Sequence, residues 1–234
     1  GAEIAVASTK AYSCQTAALY ALAEFLRAVS NSNENGGEND KNAVPDFSAI
    51  ETLCNELSLG DEREEKEIAR LFFSAKKLFM IGRGTDYCTA LEASLKIKET
   101  SYVNADVYFA GELKHGFLAL VDEDSYVAVF ATDDTTLQKT LSNAEEARAR
   151  GAKIVLFTTA SPETLGGAAK KCFRILRVNK LSAANTNGAK TPYQNPLQCV
   201  QNIVPWQLIA YYTSVEKGLN PDKPRNLAKS VTVE

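Results

Sequence analysis

Three charged side chains lie within eight residues of one another, Glu92, Lys96 and Glu99, spaced i, i+4 and i+7. At about 100° per residue that spacing gathers them into one stripe of a helix. Lining a partly buried cleft, two carboxylates and an ammonium make a proton-transfer surface: the lysine holds the acids ionised while desolvation raises their pKa. On a solvated face the same spacing is ordinary i,i+4 pairing, and spacing alone leaves both readings open. His115 is the only histidine. Its imidazole ordinarily titrates near neutrality, so it is the natural acid/base candidate, the other reading being a satisfied structural group. Gly82-Arg83-Gly84-Thr85 follows a short apolar run and either points backbone N–H groups at an anion or simply ends a strand. Tyr87 at the third glycine position makes it no dinucleotide fingerprint, and Gly188-Ala189-Lys190-Thr191 has the wrong order for a Walker A loop. The tail 224–234 is too short to fold alone. It is a frayed end or, since it mixes apolar residues with Lys229, a strip docked over a pocket.

The elements that must carry these groups are legible in the hydrophobic pattern. Residues 8–29 read as an amphipathic helix with Ser8 or Thr9 as N-cap. Residues 30–42, rich in Asn and Gly, read as a loop or linker, and a short helix follows at 47–57. From Asp61 onward helices (61–77, 86–102, 137–150, 197–217) alternate with short apolar strands (78–81, 106–109, 126–132, 154–159, 173–178), with a polar loop at 182–195. Strands interleaved with helices predict an α/β fold built on a doubly wound parallel sheet, one five-stranded unit over 61–219.

Composition narrows the function. The chain has 234 residues, 45% hydrophobic and 24% charged, and its 26 basic against 29 acidic residues give a net charge of −3. That balance gives no reason to expect a surface for nucleic acid or an anionic membrane. Five cysteines without a C-x-x-C pair suggest neither a disulfide framework nor a zinc site, and a reduced, cytoplasmic setting is expected. No run reaches the roughly 20 apolar residues that span a bilayer. The chain starts at Gly1 and its only methionine is Met80, which suggests a piece of a longer protein.

The residues already singled out carry a family resemblance. Ile81-Gly82-Arg83-Gly84, Ala90-Leu91-Glu92 with Leu95-Lys96-Ile97-Lys98-Glu99, Gly111-Glu112-Leu113-Lys114-His115-Gly116 and the tail 224–234 resemble the C-terminal isomerase part of the glutamine–fructose-6-phosphate aminotransferases (glucosamine-6-phosphate synthases). Glu3-Ile4-Ala5-Val6-Ala7-Ser8-Thr9 resembles a further motif of the same region. The resemblance implies a three-layer αβα sandwich with a flavodoxin-like five-stranded parallel sheet, the sugar isomerase (SIS) fold, plus flanking helical segments. Residues 1–30 would be the end of a first SIS subdomain, 31–60 a linker with a short helix, 61–219 a second SIS subdomain and 220–234 an active-site tail.

The family makes glucosamine 6-phosphate from fructose 6-phosphate and ammonia, the first step of amino-sugar biosynthesis, the ammonia coming from glutamine through an N-terminal glutaminase domain. Carried over by motif, Glu99 would move the proton between C1 and C2 and Lys229 would form a Schiff base with the open-chain ketose. His115, reaching a neighbouring subunit's site, would open the ring, and Lys96 would assist at the sugar hydroxyls. Val6, Ser8 and Ala228 would line the sugar site. No cofactor or metal is implied, and the partners expected are the phosphosugar, the glutaminase domain, the rest of the first subdomain and a second copy in a homodimer. The sequence departs from the family in lacking its Ser-Gln-Ser-Gly-Glu-Thr phosphate loop, in having Phe117 where proline usually follows His-Gly, and in the loop 182–195. A catalytically incomplete phosphosugar-binding module and a dimerisation half are the alternatives.

Overall fold

The computed structural model describes residues 3–35, 44–184 and 195–230. Helix α1 spans Lys10–Asn35, α2 Ser48–Glu56 and α3 Glu62–Phe73. Strand β1 (Lys77–Gly82), helix α4 (Thr85–Ser101) and strand β2 (Ala105–Phe109) form the first crossover. Then come β3 (Ser125–Ala131), α5 (Leu137–Arg148), β4 (Lys153–Thr158), α6 (Pro162–Leu165), β5 (Arg174–Arg177) and α7 (Gln198–Glu216). The five strands are parallel in the order β2-β1-β3-β4-β5, the flavodoxin-like order with its switch point between β1 and β3. The expected three-layer α/β sandwich is the one observed.

Side-chain alternation explains the layers. Leu78, Met80, Ala128, Phe130, Val155 and Phe157 face one way, onto α3, α4 and α7. Their sequence neighbours Phe79, Ile81, Val127, Val129, Ile154 and Leu156 face α5 and the 110–119 segment. Such strands, apolar on both faces, are what a sheet covered by helices on both sides requires. Trp206 of α7 is the keystone of the first layer, stacked on Phe130 at 4.8 Å and on Phe72 at 5.9 Å. Helix α2 joins the start of α7 through Ala49, Leu53, Leu197 and Val200.

Two expectations need correction. Residues 30–35 are not loop: α1 runs on to Asn35, since the first strong helix breakers on this stretch are Gly36 and Gly37. Residues 36–43, and 185–194 of the predicted second loop, lie outside the described residues. The capping expectation holds in position, since Thr9 precedes Lys10 and its carbonyl accepts the N–H of Ser13 at 3.3 Å, but not in the acceptor. The first N–H groups of α1 are met by the carboxylate of Glu3, and the Thr9 hydroxyl itself donates to that carboxylate.

In the first turn of α3 the side chain of Glu65 is fully buried, and neither carboxyl oxygen has a hydrogen-bond partner. Burial, and then the nearby Asp61, Glu64 and Glu62, push its pKa from 4.5 to about 7. The folded chain therefore binds this proton more tightly than the unfolded chain. The stability it contributes is present at low pH and lost as pH rises through 7, by about 3 kcal/mol at most. Urea unfolding of Glu65→Gln should show a flatter stability profile between pH 5 and 8 than the native chain, and a higher midpoint at pH 8.

Candidate active site

Helix α4 is charged where most helices are apolar. Lys96 is 3% exposed, and its Nζ donates to Glu99 Oε2 at 2.8 Å and lies 3.5 Å from Glu92 Oε1. An ammonium this deep is tolerated only if paired, and the two carboxylates one turn to either side pair it. Burial raises the pKa of Glu92 against the pull of Lys96, and Glu99 adds to the rise. Leu91 and Leu95 on the flank face solvent instead. The reading of Glu92, Lys96 and Glu99 as a solvated face is thereby excluded: the stripe points inward.

The two ends of the chain meet beside this helix. Lys229 Nζ donates to the carbonyl of Ala5 at 2.9 Å and to Ser8 Oγ at 3.3 Å, and stands 3.6 Å from Glu3 Oε2. Val6 N–H donates to the carbonyl of Asp222 at 3.1 Å. Ala228 is exposed next to Lys229 in the tail. The tail is tied to α4 by Tyr102, the residue after its last turn, whose hydroxyl accepts the N–H of Arg225 at 2.7 Å while the Arg225 guanidinium lies 4.3 Å above the ring. Tyr102 adopts φ 57° to end the helix. Gln207 of α7 reaches the carbonyl of Thr9 at 3.5 Å. Tyr12, whose phenol is raised to about 12 by burial and then by Cys199 and Glu92, packs from α1 against the same layer. Val6, Ser8, Ala228 and Lys229 thus lie where the tail crosses the segment before α1, and Tyr102, three residues after Glu99, ties that crossing to the end of α4.

His115 does not join them. It follows β2, on a side chain 77% exposed, with Glu112 Oε2 3.5 Å from its Nε2. In a parallel sheet α4 starts at the carboxyl ends of the strands and finishes at their amino ends. Glu99 therefore lies near the amino edge and His115 at the carboxyl edge, about 15–20 Å apart along the strands.

The glycine turn at 82–85 is structural. Its Arg83 donates to Asn143 Oδ1 at 2.8 Å. The buried Asp86 carboxylate accepts the N–H of Thr132 at 2.8 Å and of Asp133 at 3.2 Å, and the Thr132 hydroxyl. Asn202 Nδ2 donates to Thr132 Oγ1 at 2.7 Å and Gln198 Nε2 to Asn202 Oδ1 at 2.9 Å, locking α7 to the switch point. A carboxylate of the chain thus sits where an anion would bind in such a fold. A cavity of about 420 Å³ between α5 and the 165–172 segment includes none of Lys96, Glu99 or Lys229. Among the described residues no group of three His, Cys, Asp or Glu is placed to hold a metal.

Sequence reasoning missed Glu3, Tyr102 and Asp86. Asp86 in the first turn of a helix was the detectable signal, since acids favour that position. Tyr102 acts on a segment distant in sequence and left no local signature, while Glu3, six residues before Thr9, lies too far upstream for the usual capping pattern.

The sequence model of the SIS domain matches residues 71–193, more than half of the chain. The chain belongs to the SIS-domain family. Among similar curated proteins, the glutamine–fructose-6-phosphate aminotransferase [isomerizing] of Caldanaerobacter subterraneus subsp. tengcongensis is 42% identical over 236 residues, and that of Streptococcus mutans serotype c is 41% identical over 242. Each match takes in 100% of this SIS chain but only 36% and 35% of the relative. The solved C-terminal domain of glucosamine-fructose-6-phosphate aminotransferase from Francisella tularensis superposes with TM-score 0.72 at 32% identity, over 95% of this chain and 58% of that one. A glucosamine-6-phosphate deaminase from Thermotoga maritima, TM-score 0.61 at 18% identity, covers 99% of this chain and 59% of its own, and shares the fold. No helix among the described residues is long and apolar enough to cross a membrane.

In Tyr102→Phe the Arg225 amide loses its acceptor while the ring stays under the guanidinium. One neutral hydrogen bond contributes about 1 kcal/mol, so hydrogen exchange at that amide should quicken about fivefold, with the melting temperature of the SIS domain unchanged.

Proposed function

We propose that this SIS chain is the isomerase part of an enzyme that makes glucosamine 6-phosphate from fructose 6-phosphate and ammonia. What supports the reading most is the folding of Lys229 from the tail back onto Ala5 and Ser8, next to the helix that carries Lys96 and Glu99. End-to-end similarity to the isomerising aminotransferases supports it as well.

The chemistry follows from what each group can do. His115 of a second copy opens the sugar ring: it takes the proton of the C2 hydroxyl while the ring oxygen gains one. The separation of this chain's own His115 from Glu99 favours a homodimer in which the histidine crosses between subunits. The Lys229 amine adds to the C2 carbonyl and expels water, giving an imine. Because the product's nitrogen is ammonia's, ammonia then displaces the lysine at C2. The C1 proton is now alpha to an iminium carbon, and Glu99 takes it from C1 and returns it to C2. One placed carboxylate suffices for that transfer. As C2 gains its proton the C1 hydroxyl gives up its own to become the aldehyde, and Lys96, held between Glu92 and Glu99, assists that transfer at O1. Val6, Ser8 and Ala228 border the sugar.

The phosphate would be gripped outside the described chain, by the remainder of a first SIS subdomain to which residues 1–30 belong. The apolar face of α1 supports this: Leu19, Leu22, Phe25 and Leu26 are all more than half exposed. Residues 31–60 would then link to the second subdomain at 61–219, and 220–234 would be the active-site tail. Glutamine-derived ammonia would enter from a glutaminase domain, in the cytoplasm.

Incubation with fructose 6-phosphate and ammonium should yield glucosamine 6-phosphate, and product should fall at least about a thousandfold in both Glu99→Gln and Lys229→Ala. Borohydride reduction with fructose 6-phosphate alone reads the imine without the proton transfer. Glu99→Gln should keep the Lys229 adduct while losing the product. Adduct or product that persists undiminished in a folded Lys229→Ala refutes the reading.

A further inference from the structure

One carboxylate in this region has no part in the proposed reaction and yet holds more partners than any group around it. Glu3 Oε1 accepts the N–H of Thr9 at 2.7 Å, the N–H of Lys10 at 2.9 Å and the Thr9 hydroxyl at 3.1 Å. Oε2 accepts the N–H of Ala11 at 3.3 Å and stands 3.6 Å from Lys229 Nζ. The three N–H groups belong to the start of α1, where no intrahelical acceptor exists and the helix dipole favours negative charge. Burial opposes the charged form, but the hydrogen bonds from Thr9 and Ala11 and the Lys229 charge outweigh it and hold the carboxyl at about 2. A group that acidic stays ionised at any working pH and cannot serve the sugar as acid or base.

Its geometry serves something else. Oε1 is saturated by the helix, so Glu3 cannot swing away, and only Oε2 retains capacity for a cation. The position α1 offers to an anion is filled from within the chain, which excludes a sugar phosphate there. The Lys229 ammonium completes the arrangement: Ala5 carbonyl, Glu3 carboxylate and Ser8 hydroxyl surround it. The first two only accept hydrogen bonds, and Ser8 alone can either accept or donate.

We propose that Glu3 is a positioning residue that, anchored on the first turn of α1, seats the Lys229 ammonium and so holds the C-terminal tail over the site until a substrate carbonyl takes the lysine. This rests on the reading of Lys229 as the imine-forming residue, but the seat itself can be tested without substrate. Glu3→Gln keeps an oxygen for the helix N–H groups and removes the charge facing Lys229. Glu3→Asp keeps the charge on a shorter arm.

The experiment is competitive acetylation with acetic anhydride at pH 8, read by mass spectrometry as the rate at Lys229 relative to the exposed Lys170. The ratio should rise at least fivefold in Glu3→Gln and by an intermediate amount in Glu3→Asp. It should also rise in the unaltered chain when NaCl goes from 0.05 to 1 M, because salt screens a partly exposed pair. Reductive trapping then separates position from reactivity: in Glu3→Gln the Lys229 adduct with fructose 6-phosphate falls about tenfold while the adduct with formaldehyde rises. Acetylation ratios unchanged within twofold, by charge removal in a folded variant and by salt in the native chain, overturn the proposal. If the acetylation ratio shifts but no sugar adduct forms in the native chain, Glu3 seats Lys229 as stated and it is the reaction assigned to Lys229 that is wrong.

Discussion

A parallel strand can be followed by a parallel neighbour only if the chain travels back the length of the sheet, and this constraint governs where chemistry is possible here. Helix α4 makes that return between β1 and β2, and α7 runs in the same direction beside it. Both deliver their C-terminal turns to the amino edge. Glu99 and the start of the tail consequently arrive together, while anything on the loop after β2 stays at the opposite edge. The carboxyl edge, where open α/β sheets usually bind ligands, is occupied by the Asp86, Thr132, Asn202 and Gln198 network. That network joins the strand ends to α7 and fixes its register against α4.

Within that frame α4 accepts an unfavourable distribution of polarity. It buries Lys96 and exposes Leu91 and Leu95. Removing an ammonium from water is costly, and two adjacent carboxylates compensate for it only with good geometry. A helix selected for stability alone would turn those residues the other way. Departures of this kind from local rules are expected at functional positions. The buried Glu65 at the start of α3 is another departure, one that no proposed step uses.

The sheet was legible because most strands carry short apolar runs, and its parallel sense followed from the alternation with helices. Strand ends moved by only a residue or two, as for β1, read at 78–81 and found at Lys77–Gly82. The direction in which the Glu92, Lys96 and Glu99 stripe faces was not legible. Periodicity shows that three groups share a side, but tertiary packing decides which side is inside. Thr9 was rightly placed at the N-cap of α1, but the acceptor there was not foreseen, for a related reason. Ser8 and Thr9 have suitable side chains, yet a carboxylate six residues upstream is the stronger acceptor once the chain folds back. The pairing of Tyr102 with Arg225, 123 residues apart, leaves no trace in either local stretch.

The anchoring of the tail has a kinetic meaning. With the Arg225 amide fixed on Tyr102, four residues of chain lead to Lys229, a reach of about 14 Å even when fully extended. A lysine that leaves its seat is therefore confined to a small sphere, equivalent to a local concentration on the order of 0.1 M. Under the proposed reaction, capture of a carbonyl inside that sphere would be effectively unimolecular, and the amine would re-form its seat after each turnover without the tail having to leave and return by diffusion.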